Sequence, residues 1–161
     1  MTLTIDLSGR ESRLLRLAVF EMLGHPRWRS DRAEGRGDLV DVYQQTSAAG
    51  DDGLALRVEP VTVDLLDSAL RRLTSELKNY ELLSSAAAGE RSGSMVEGFD
   101  EELEKLFPGV ASDRAEMDRL MPDLLALRRD FSQANKRLAE MAEERSAEAG
   151  SGSPRWQFWR R

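Results

Sequence analysis

The sequence predicts an α+β fold with a helical excess: a small three-stranded sheet packed on two helices, then a long heptad-patterned helical region and a flexible tail. Three observations predict it. Leu3, Ile5 and Leu7 alternate with Thr4 and Asp6, the period of a half-buried strand. Ser8-Gly9-Arg10-Glu11, a capping-box pattern, leads directly from that strand into apolar residues at helical spacing. From Met117 to Met141 the apolar residues recur in an unbroken 3-4 alternation, the period of a helical seam.

The elements follow in chain order. Residues 2–7 form the first strand. In the capping box the Ser8 hydroxyl accepts from the Glu11 amide, and the Glu11 carboxylate reaches back to the Ser8 amide. Helix 9–23 then presents Leu14, Leu15, Ala18, Val19 and Met22. Gly24 is expected as a left-handed stop, with Pro26 blocking continuation. Residues 24–37 are Gly- and Arg-rich and read as loop. Two strands are expected next: 39–45, with Val40, Val42 and Tyr43, and 54–59, with Leu54, Leu56 and Val58 on one face. The Gly- and Asp-containing stretch 47–53 between them supplies the turn of a hairpin, and Pro60 ends the second strand.

A helix over 63–83 carries Leu66, Leu70, Leu73, Leu77 and Tyr80 in a narrow stripe. Residues 84–98 have linker composition. Phe99 to Phe107 is a short acidic amphipathic helix, broken by Pro108-Gly109. Ser112 or Asp113 caps the next helix, 113–145, in which Pro122 takes an outward position, kinking the helix or starting a second one. The domain organisation is therefore a small α+β domain over 1–83, a linker over 84–98, a helical, coiled-coil-like region over 99–147, and a flexible tether over 148–161 that ends in an aromatic–basic peptide.

Composition excludes several classes of function. The 161 residues hold 23 Lys+Arg against 29 Asp+Glu, a net charge of −6, whereas bulk nucleic-acid binders show a basic surface. With no Cys, there is no disulfide framework, thiol catalysis or Cys-ligated metal. The single His, His25, follows a helix end and has no second His to ligate with; it reads as a dipole complement. Asp51-Asp52-Gly53 lacks the remaining ligands of a calcium loop, and Asp100, Glu101 and Glu102 are ordinary first-turn acids. No catalytic residue, metal site, cofactor or small-molecule substrate is expected. No apolar run approaches the ~20 residues of a membrane-spanning helix. Residues 1–6 lack a secretory signal, so the expected location is cytoplasmic.

Interaction chemistry is where the pattern points. Arg155, Trp156, Phe158, Trp159, Arg160 and Arg161 put three aromatics and three Arg into the last seven residues. These are the residue types that dominate binding hot spots. The stripe Met117, Leu120, Leu124, Leu127, Phe131, Ala134, Leu138 and Met141 suits either packing on helix 63–83 within the chain or self-association into a homodimer. The helix 99–107 suits docking in a partner's groove or covering the chain's own core. The expected function is a non-enzymatic adaptor or accessory protein that docks a larger protein through its C-terminal peptide. The alternative is a nucleic-acid- or membrane-surface accessory using the Arg/Trp loop 27–36 and the tail.

Overall fold

The computed structural model describes residues 2–28, 33–86 and 96–150, the side chains of 80–86 and 148–150 excepted. Its elements are β1 (Leu3–Leu7), α1 (Gly9–Gly24), a 3-10 turn (Pro26–Trp28), α2 (Arg36–Ala48), β2 (Leu54–Val58), α3 (Pro60–Ala86), α4 (Phe99–Leu106) and α5 (Arg114–Gly150).

The capping box forms as its residues dictate. The Glu11 amide donates to Ser8 Oγ at 3.3 Å, and the Ser8 amide donates to Glu11 Oε2 at 2.7 Å. Ser8→Ala is expected to lower stability by about 1 kcal/mol, read as a shift in the urea midpoint with no change in slope.

Gly24 does not stop α1 in a left-handed conformation. It is the last helical residue, and His25 turns the chain out through its extended ψ of 139°. The glycine is needed for close approach: a Cβ there would collide with Val96 Cγ1, which lies against the end of α1.

The expected strand over 39–45 is a helix, so the sheet has two strands rather than three. Val40, Val42 and Tyr43 carry strand propensity, but Leu39, Val42 and Thr46 recur at helical spacing and are buried on α1 and β2. Tertiary burial outweighs the local preference of β-branched residues. The expected 39–45/54–59 hairpin is therefore replaced by a longer-range pairing. β2 runs antiparallel to β1, with Leu3 opposite Val58, Ile5 opposite Leu56 and Leu7 opposite Leu54. The far edge of β2 is capped by a side chain: Gln45 Nε2 donates to the Arg57 carbonyl at 3.0 Å, and the Arg57 amide donates to Gln45 Oε1 at 3.0 Å.

Pro60 both ends β2 and opens α3, where its missing N–H and fixed φ cost nothing. α5 runs through the exposed Pro122 as one helix of 37 residues, about 55 Å long. The carbonyl that loses its helical donor to the proline is that of Asp118, an exposed residue. Asp113 Oδ1 accepts from the Ala115 amide at 2.8 Å at its start. Its end lies three residues inside the stretch expected as tether. One buried cluster joins all of these elements, from Leu7 through Leu66, Leu70, Leu73, Phe99 and Leu103 to Phe131.

Candidate docking site

The apolar stripe of α5 packs against α3 of the same chain, the most extensive helix–helix contact in the structure. Met117, Leu120, Leu124, Leu127 and Phe131 are buried there. Ala134 and Leu138 are half-buried, and Met141 is 44 % exposed. Five of the seven residues expected as a self-association seam are thus buried within the chain.

Two polar straps fix the register of this pair. Ser132 Oγ donates to Asp67 Oδ1 at 2.6 Å, and Asn135 Nδ2 donates to Asp64 Oδ1 at 2.8 Å. Three residues forward on α5 correspond to three residues back on α3, so the helices are antiparallel. Carried on, that register sets Pro60, the first residue of α3, level with Ala139. From Ala139 to Ala147 every α5 side chain is exposed. The 11 residues after Ala139 project as a helical arm of roughly 16 Å. Lys136 and Glu140, 3.9 Å apart, pair where the arm begins. The peptide Arg155, Trp156, Phe158, Trp159, Arg160 and Arg161 continues from the arm's end and lies outside the described residues, as does the Tyr80 side chain.

Of the loop 27–36, residues 29–32 lie outside the described residues. Trp28 is half-buried against the core, and its carbonyl accepts from Arg36 Nη1 at 2.5 Å. Trp28 and Arg27 line an open pocket of about 520 Å³ with Glu34, Asp38, Val61 and Leu65. Its described charges are mixed, one Arg against two acids, which does not make a phosphate cradle. His25 Nδ1 accepts from the Arg27 amide at 3.3 Å, a local turn contact.

Among the described residues three buried acids organise the interior: Glu21 and Asp67, which the sequence pattern does not single out, and Glu102, expected only as a first-turn acid. Glu21 of α1 accepts two bonds from Arg72 of α3, at 3.0 and 3.2 Å. Asp67 takes Arg71 at 2.7 Å as well as Ser132, and holds the Arg71 guanidinium above its ordinary pKa by hydrogen bond and charge. Glu102 of α4 binds Arg16 of α1 at 2.7 Å and Tyr43 Oη of α2 at 3.2 Å, with the Arg16 guanidinium 5.3 Å from the Tyr43 ring centre. A signal for them was available. Glu21 falls three residues after Ala18 on the apolar face of α1, Asp67 beside Leu66 and Leu70, and Glu102 beside Leu103. Each acid ties one helix to another.

Among the described residues, no group of three or more His, Asp and Glu is placed to hold a metal ion, and no helix is long and apolar enough to cross a membrane. No family model matches this chain, and no curated protein or solved structure matches it either.

Proposed function

We propose that this chain is a cytoplasmic, non-enzymatic interaction protein, an adaptor or accessory component, that offers its C-terminal Trp/Arg peptide to a larger protein from the free end of α5. The observation that supports the reading is the arm. Beyond Ala139 the helix has no packing partner among the described residues, so it carries the peptide's attachment point away from the folded body. Trp156 and Trp159 bring large contact areas at low entropic cost, and the flanking arginines bring charge-assisted hydrogen bonds. Such residues act as anchors when a partner supplies the pocket.

The test compares the full chain with its Trp156→Ala/Trp159→Ala variant, by capture from the native cell lysate and by thermal unfolding. The expected result is loss of one partner at an unchanged Tm. A stability loss of about 3–5 kcal/mol, the scale for emptying buried aromatic sites, would make the tail part of the chain's own core and refute the reading. Retention of every partner would refute it too. Capture that collapses between low and physiological salt would transfer the function to a nucleic-acid or anionic membrane surface.

A further inference from the structure

A pocket of about 410 Å³ opens where α1, α2 and the lead into α4 meet, a size within the range of small-ligand sites. Phe20, Leu23 and Gly24 of α1, Tyr43 of α2 and Glu97 line it. Its walls are held in place. The Phe20 and Tyr43 ring centres lie 6.2 Å apart, the planes tilted by 39°. Tyr43 Oη donates to the buried Glu102 at 3.2 Å, which fixes that ring. Gly98 lies against Phe20, since a Cβ there would meet Phe20 Cζ at 3.5 Å. Phe99, buried in the core, anchors the segment that carries Glu97. Among the described lining residues the only charge is therefore a carboxylate, set beside two half-buried aromatic rings. Glu97 is exposed and has no hydrogen-bond or ion-pair partner among the described residues. The last turn of α1 carries no basic residue, so no cation of that helix meets the negative end of its dipole.

We propose that this pocket binds an organic cation, an alkylated ammonium group on an apolar stem. Charge complementarity selects it. A phosphate or carboxylate would meet Glu97 and the negative faces of the rings. A metal ion needs several oxygen ligands and would meet one carboxylate. A neutral apolar group would gain burial and nothing from Glu97. An alkylated ammonium uses the whole lining. Its alkyl groups bury against Phe20, Leu23 and Tyr43, while the ring faces and Glu97 attract its charge. The fold already uses this combination once, with a cation of its own. The Arg16 guanidinium stands 5.3 Å from the Tyr43 ring centre and pairs with Glu102 at 2.7 Å. Arg16 is not part of the pocket lining. There the same pairing of ring and carboxylate is repeated, and the described lining supplies no cation to fill it.

The experiment is an amide NMR titration of the full chain with choline and with neohexyl alcohol, its uncharged isostere. Choline should shift the signals of Leu23, Gly24, Tyr43 and Glu97 saturably, with a Kd in the millimolar range or below. Neohexyl alcohol should bind about tenfold more weakly. Glu97→Gln, at an exposed position, should weaken choline about threefold and leave the alcohol unchanged. Phe20→Leu keeps apolar bulk but removes a ring, and should weaken choline more than the alcohol. The alcohol comparison and Glu97→Gln decide the matter even if Phe20→Leu fails to fold. A short peptide carrying trimethyllysine separates the two sources of such a group. Binding tighter than choline assigns the cation to a protein chain, weaker binding assigns it to a free small molecule, and either supports the site. No saturable shift with any probe would overturn the proposal. So would equal affinity for choline and neohexyl alcohol, or a Glu97→Gln variant that binds choline as tightly as the unaltered chain.

Discussion

Replacing Phe99 with Ala is expected to destabilise the protein by about 3–5 kcal/mol, the range for a buried Phe emptied to a cavity. For a chain of this length that is a fall in Tm of roughly 6–20 °C. The expectation follows from how α4 sits. Its opening glycine, Gly98, has a φ of 77°, which turns the chain so that Phe99 enters the core at once. Phe99 is 0 % exposed, and Leu103 and Leu106 line up behind it on the same face. Phe107 continues the contact beyond the helix, with the Arg13 guanidinium 5.6 Å from its ring centre. A short acidic helix between two irregular segments has the form of a docking peptide, and the sequence left that use open. Its apolar face is instead spent on the chain's own core. The measurement is urea unfolding of Phe99→Ala. A loss below about 1 kcal/mol would mean that α4 detaches readily and is free to serve a partner.

The same contrast between local and long-range information runs through the whole fold. The β1–α1 junction was legible because its determinants lie within four residues: the Ser8 hydroxyl, the Glu11 carboxylate and the helical spacing that follows. α2 was not legible, because Val40, Val42 and Tyr43 satisfy a strand locally. What decides for helix is the surface of α1 and β2 that Leu39 and Val42 meet. That residues 114–145 form a helix was legible, but the partner of their apolar stripe was not. A stripe of Leu at that spacing fits a neighbouring helix of the same chain as well as one of another copy. The structure chooses α3, through straps that link positions 65 and 71 residues apart. Glu102 shows the same limit from the polar side. As a first-turn acid it needs no explanation beyond the helix dipole, and only the fold brings Arg16 to it from 86 residues away. The peptide at residues 154–161 stands out in composition alone. Its candidacy rests on its residue types and on the bare arm that precedes it.

Glu102→Ala is the second substitution with a large expected effect, a loss of about 3 kcal/mol. One carboxylate oxygen of Glu102 serves three elements. It accepts from Arg16 Nε and Nη2 at 2.8 and 2.7 Å, and from Tyr43 Oη at 3.2 Å, so α1, α2 and α4 meet at a single atom. The side chains of Arg16 and Glu102 are only 14 % and 10 % exposed. Removing the acid therefore leaves a guanidinium that water reaches poorly, and that penalty exceeds the net worth of the intact pair. Two comparisons separate these contributions. Glu102→Gln keeps the shape and one acceptor but removes the charge, and should cost less than Glu102→Ala. Arg16→Met combined with Glu102→Leu removes both charges and refills the space. It should recover most of the loss, because a buried pair replaced by apolar residues of similar volume is often neutral or stabilising. The readout is a double-mutant cycle in urea, since the residues share partners and their effects will not add. If the double variant is as unstable as Glu102→Ala, the hydrogen bonds at this atom, and not relief of an unpaired charge, hold α4 to α1 and α2.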